Sequence, residues 1–328
     1  MRNRFPHDGR RAALRVLALT ASAWHLRGLA ATESVPALRI GFQKGSPNLV
    51  LLKLSGDLER RLPGTRVTWA EFPAGPQLLE ALAVGSVDVG ATGDSPPVFA
   101  QAAGKDIVYV AAEPPKPDSS AILVRPDGPL RTPADLRGRR VALQKGSSAH
   151  YLLVRAVTKA GLQWSDIQPV YLPPADARAA FERDAVDAWA IWDPYYAAAE
   201  IDGRARVLAT SRGLTDNGTF YLASSVAAAR AGAPLRALFD ALAETDAQAR
   251  RDRADAARRY AAFAGLDRAV VHRMLERRPP SPPGPLTPAV VAEQQRVADA
   301  FARLGLIPAP IRVADIVAPA ARSLALAR

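Results

Sequence analysis

The sequence contains no cysteine. That excludes disulfides, thiolate metal sites and cysteine nucleophiles. It also excludes a lipid anchor on an N-terminal cysteine, so an exported form is expected to be free. Histidine is scarce, with four in 328 residues. Two of them, His7 and His25, lie in the basic N-terminal stretch, and His272 lies in a late helical segment. No metal-ligand spacing results, so neither metal nor cofactor is expected. Aromatic residues make up only 6% of the chain, and the basic residues are scattered rather than run together. Nucleic acid is therefore not an expected partner. No apolar run after the N-terminal stretch reaches the ~18 residues that a membrane-crossing helix needs. There is no Walker sequence, no GxGxxG and no nucleophile elbow, and no catalytic residue suggests itself.

What is present suits a two-lobed exported protein. The length is generous for one core, and 48% of the residues are hydrophobic. The formal net charge is +11. Six arginines and Asp8 within residues 1–31 contribute +5 of it, leaving +6 for the rest. Those first residues run from basic, through an apolar segment (Val16 to Trp24), to small residues at Gly28 to Ala31. This is the order of a secretory signal. Arg10-Arg11 also resembles a twin-arginine pattern, and the two export routes stay open. Residues 1–34 are read as a signal peptide and the location as periplasmic.

The remaining chain alternates short β-like runs with helical ones. Leu38 to Phe42, Arg66 to Phe72, Val87 to Thr92, Ile107 to Ala112, Ala121 to Arg125, Val141 to Leu143 and Ile167 to Leu172 read as strands. From about Pro234 the pattern is helical, broken by a proline-rich loop from Arg278 to Pro288. Alternation of this kind predicts an α/β fold with mostly parallel sheets.

One strand-to-helix turn occurs twice. Gln43-Lys44-Gly45-Ser46 precedes one helical run and Gln144-Lys145-Gly146-Ser147 another, about a hundred residues on. A helix start carries unpaired N–H groups and partial positive charge. Glycine admits close approach, and Ser46, Ser147 and Ser148 add hydroxyls, so paired turns of this kind suit an anionic head group. No arginine falls within these motifs, which predicts neutral donors rather than a cationic clamp. Thr92-Gly93-Asp94 is a third such turn, where Asp94 either caps the following helix or contacts a ligand. Trp192 and Asp193 end a predicted strand, Asp187 to Ile191, where open α/β sheets bind ligands. An indole there gives an apolar wall and one donor; core packing is the plain alternative. His150, just past the Ser147 turn, is either structural or a ligand contact.

Several motifs carry a family resemblance. Ile40 to Ser46, Glu71 to Gln77, Thr92-Gly93-Asp94, Glu113-Pro114-Pro115-Lys116-Pro117, Gln144 to Ser148, Pro174 to Phe181 and above all Val186 to Tyr196 resemble the periplasmic aliphatic sulfonate-binding family. The likeness spans about residues 38–310. It implies a type II periplasmic-binding-protein fold, with two lobes joined by crossover strands near 120–125 and 218–224. Lobe one is then 35–119 plus 225–328, and lobe two 120–224. It implies capture of alkanesulfonates for an ABC importer in sulfur acquisition, by a monomer that meets the importer's permease in the inner membrane. By the same resemblance Gln43, Gly93, Ser147, Ser148, His150 and Trp192 contact the head group, with Asp94, Glu113, Asp193 and Thr219 as further candidates. Pro47-Asn48 and Tyr151 depart from the family pattern. Taurine, nitrate, another small oxyanion or a thiamin precursor is the alternative ligand on the same fold.

Overall fold

A computed structural model describes residues 37–323. The signal peptide read at residues 1–34 lies outside them. The chain begins with β1 (Ala37–Phe42), α1 (Pro47–Ser55) and α2 (Asp57–Arg61). The helical run after β1 is thus two helices, because Gly56 adopts a left-handed conformation with φ of 63°. β2 (Arg66–Glu71), α3 (Gly75–Ala83), β3 (Val89–Gly93), α4 (Ser95–Ala102) and β4 (Val108–Glu113) follow. Then come β5 (Ser120–Val124), β6 (Arg140–Leu143), α5 (Ser148–Lys159), β7 (Gln168–Tyr171) and α6 (Pro174–Glu182). β8 (Ala188–Trp192), α7 (Tyr195–Ile201), β9 (Arg206–Thr210) and β10 (Thr219–Ala223) complete the strands. The rest is helical: α8 (Ser225–Arg230), α9 (Gly232–Arg251), α10 (Arg253–Ala264), α11 (Arg268–Glu276) and α12 (Pro288–Arg303).

The strands form two five-stranded sheets, ordered β2-β1-β3-β10-β4 and β7-β6-β8-β5-β9. In each sheet four strands run one way and the fourth in order runs against its neighbours. Those antiparallel strands are the ones by which the chain changes sheets. It leaves the first sheet after β4 and enters the second as β5, then leaves the second after β9 and returns as β10. Thr219–Ala223, grouped by sequence with the second lobe, therefore belongs to the first sheet, and the second sheet ends at Thr210.

The central strands carry apolar residues on both faces, and each face packs into its own core. On β1, Leu38, Ile40 and Phe42 share one core with Tyr260 of α10 and Leu238 of α9. On β10, Tyr221 and Ala223 join that core, while Phe220 and Leu222 face the opposite one, shared with Leu78 of α3 and Phe301 of α12. The second sheet repeats the plan. Ile122, Val141 and Leu143 pack under α5, and Leu123, Trp189 and Ile191 pack with Phe181 of α6. Trp189 is fully buried.

Candidate ligand-binding cleft

The carboxyl ends of β1, β3, β4, β6 and β8 and the two inter-sheet connections, 114–119 and 211–218, converge on one cleft. Its cavity volume is about 80 Å³. Among the predicted residues, Gln43, Gly93, Ser147, Ser148, Trp192, Asp193 and Thr219 line it. So do Gly45 and Ser46 of the first repeated turn.

Two close approaches hold its walls together. Ser148 Oγ accepts the Asp94 N–H at 3.1 Å, joining the start of α5 to the β3–α4 turn. A Cβ on Gly93 would fall 1.8 Å from that hydroxyl and would displace it from the Asp94 N–H. At Gly45 a Cβ would lie 3.0 Å from the Asp193 carbonyl oxygen and 3.1 Å from the Trp192 indole.

Ser147 is the N-cap of α5. Its Oγ accepts the His150 N–H at 3.3 Å and donates to the Gln144 carbonyl at 2.8 Å. That hydroxyl proton is spent on the turn, so the hydroxyl contact expected of Ser147 is replaced by its turn-building role. Gln43 donates its amide to the Ala91 carbonyl at 2.9 Å.

His150 and Asp94 do not line the cleft. His150 is fully buried among Phe99, Trp164, Tyr171 and Phe301, and its Nδ1 accepts the Gly146 N–H at 3.2 Å. Burial, helped by Lys145, lowers its pKa to about 3, so the ring is neutral. It supports the 144–147 turn from behind. Asp94 is buried at the start of α4, with Oδ1 accepting from Ser95 Oγ at 2.8 Å and its carbonyl accepting from Gln294. Burial raises its carboxyl to about 6 against the hydrogen bonds of Ser95 and Ser148.

The expectation of wholly neutral donors needs correction. Lys44 and Lys145 stay out of the lining, and Lys145 Nζ rests over the Tyr171 ring. Lys116 and Arg278, however, are in it. Both reach Glu113 Oε2, at 2.9 Å and 3.2 Å, and Tyr221 donates to Glu113 Oε1 at 2.8 Å. Burial would raise the Glu113 carboxyl, but Lys116 and Arg278 outweigh it and hold it below its usual value. Burial lowers Lys116 to about 8 despite Glu113 beside it. Lys116 falls inside the Glu113-Pro114-Pro115-Lys116 motif. Arg278 comes from the first residue of the proline-rich loop, and nothing local in the sequence brings it here. Ser119, Ser120 and Asn217, from the inter-sheet connections and β5, are further lining residues that local pattern does not reveal. Asp193 is buried; its Oδ1 accepts from Ala197 N–H at 3.0 Å and from Arg277 at 3.1 Å. Burial raises its carboxyl to about 7 against the pull of Arg277. Among the described residues no cluster of His, Cys, Asp and Glu could hold a metal ion.

Two sheets that exchange strands around a cleft at their carboxyl ends define the type II periplasmic class of solute-binding proteins. A family model described as NMT1/THI5 like matches residues 66–212. An aliphatic sulfonates-binding protein of Escherichia coli (strain K12) is 50% identical over 285 residues, 87% of this chain and 89% of its own length. The alkanesulfonate-binding protein of Xanthomonas axonopodis pv. citri, solved bound to MOPS, superposes with a TM-score of 0.84 at 50% identity, covering 86% of this chain and 98% of that one. The periplasmic aliphatic sulphonate binding protein of Escherichia coli gives 0.81 at 49% identity, over 87% and 92%. The chain belongs to the aliphatic sulfonate-binding family, a family of binding proteins rather than enzymes.

Proposed function

We propose that this protein captures a sulfonate in the cleft and delivers it to an ABC importer. The observation that carries the reading is the cleft's donor set: the start of α5 at Ser148, the Gln43 and Trp192 side chains, and two buried cations balanced by a single carboxylate, Glu113. A sulfonate stays charged and only accepts hydrogen bonds, so a site rich in donors retains it. In this reading the head group sits at Gly93 and Ser148, at the starts of α4 and α5. Gln43 and Trp192 close on it, and Ser147 and His150 act through the turn beneath. The molecule is read as periplasmic, free of a lipid anchor and monomeric, and its partner as the importer's permease. The two sheets support a reading of two lobes, with the hinge in segments 114–119 and 211–218.

A thermal-shift screen of the purified protein against alkanesulfonates, taurine, sulfate, nitrate and thiamin precursors tests the ligand. A sulfonate at a hundredfold excess over its Kd is expected to stabilise the fold by about 2.7 kcal/mol. Stabilisation by nitrate or a thiamin precursor alone would refute the sulfonate reading.

A further inference from the structure

Besides Gly93 and Ser148, the cleft lining carries a second polar group, Lys116 and Arg278 with Ser119 and Ser120. Strand register fixes their separation. Gly93 of β3 pairs with Thr219 of β10, and Thr219 pairs with Glu113 of β4. Glu113 is thus two strand steps, roughly 10 Å, from Gly93 and from the Ser148 hydroxyl against it.

The far end is rich in donors. Glu113 is fully engaged, with Tyr221 on one oxygen and Lys116 and Arg278 on the other. Two cations therefore share one carboxylate, with side chains only 4% and 10% exposed. Ser119 and Ser120 stand beside them in the lining, buried, and their hydroxyls have no partner among the described residues. Asp193, the other acid of the lining, holds the Ala197 N–H and Arg277 through Oδ1, while its Oδ2 has no partner among the described residues. Unpaired buried hydroxyls next to net positive charge favour an incoming acceptor that is itself negative. The apolar side chains of the lining are Pro96, Trp192 and Met274.

We propose, resting on the sulfonate reading above, that this end is a subsite for a carboxylate on the ligand's tail. The ligand class is then a short sulfocarboxylate rather than a plain alkanesulfonate. Its carboxylate accepts from Arg278, Lys116, Ser119 and Ser120, while the sulfonate stays at Gly93 and Ser148.

Titration calorimetry compares 3-sulfopropionate with 1-propanesulfonate, 1-hexanesulfonate and 3-aminopropanesulfonate. The sulfocarboxylate is expected to bind at least tenfold more tightly than 1-propanesulfonate. The aminosulfonate should bind most weakly, because its ammonium meets the cation pair. Arg278→Gln and the double variant Ser119→Ala/Ser120→Ala should each bring the ratio of 3-sulfopropionate to 1-propanesulfonate affinity close to one. Equal or tighter binding of either plain alkanesulfonate overturns the subsite and leaves the sulfonate reading standing. So does a preference that survives both variants. Failure of every sulfonate to bind overturns both.

Discussion

His150 illustrates how a single side chain governs the cleft without touching it. Its neutral ring accepts the Gly146 N–H from inside a cage of aromatic rings. The proton it would bind in the unfolded chain, where its pKa is near 6.5, is refused in the folded one until about pH 3. Between those values the unfolded state binds more protons, so His150 makes stability fall as pH falls, by up to about 1.4 kcal/mol per pH unit. Asp94, raised from 3.8 to about 6, and Asp193, raised from 3.8 to about 7, act in the opposite sense, since each raised carboxyl binds a proton first in the folded state. The three partly cancel, and substitution separates them. In His150→Gln, whose amide oxygen can still accept from Gly146, urea titrations between pH 6.5 and 4.5 should show stability falling less, or rising more, on acidification than in the parent. An identical slope would mean that the ring does not stay neutral. Position beside the Ser147 turn made His150 a candidate contact. Its burial depends on Phe301 and Trp164, which are distant in sequence, and so was not readable there.

Elements were more legible than contacts. Strands such as β1 and β3 follow from runs of apolar residues, and the start of α4 follows from Ser95 and the prolines after it. Two features resisted. Gly56 splits one helical run because its left-handed backbone ends α1, whereas the apolar period continues across it. β10 carries the same buried pattern as its neighbours, and no local signal says which sheet it joins or that it runs antiparallel. The repeated turn was visible as an anion-binding pattern, but the division of labour inside it was not. Ser147 caps α5 and holds Gln144, whereas Ser148 reaches across the cleft. Ser147→Ala should therefore cost about 1 kcal/mol of folding stability, within the ordinary range for a lost N-cap. Ser147→Thr, which keeps a hydroxyl, should recover most of it. Equal stability of all three proteins in urea unfolding would remove Ser147 from this role.

At the scale of the whole molecule, closure depends on contacts between parts that pack with different sheets. Arg277, at the end of α11, makes the most extensive of these. Its guanidinium bonds Asp193 at 3.1 Å, reaches Glu200 of α7 and lies 3.7 Å above the Tyr196 ring. Asp193 is itself part of the cleft wall, next to Trp192. Opening the cleft at this edge would expose Asp193 and Glu200 to water, where carboxylates are well solvated. Closing it without Arg277 would bury Asp193 with no cation opposite, which is costly. Removing the arginine should therefore penalise the closed, ligand-holding state far more than the open one. Affinity differences of this kind appear mostly in dissociation. In Arg277→Met, which keeps an apolar body over Tyr196, ligand should leave about tenfold faster, equivalent to about 1.4 kcal/mol, while the association rate changes less than twofold. Stopped-flow fluorescence can follow this through Trp192, the tryptophan in the cleft wall. Small-angle scattering should show the ligand-saturated parent contracting on binding and the variant contracting less. An unchanged dissociation rate in Arg277→Met would assign closure to the Ser148–Asp94 contact on the opposite wall instead.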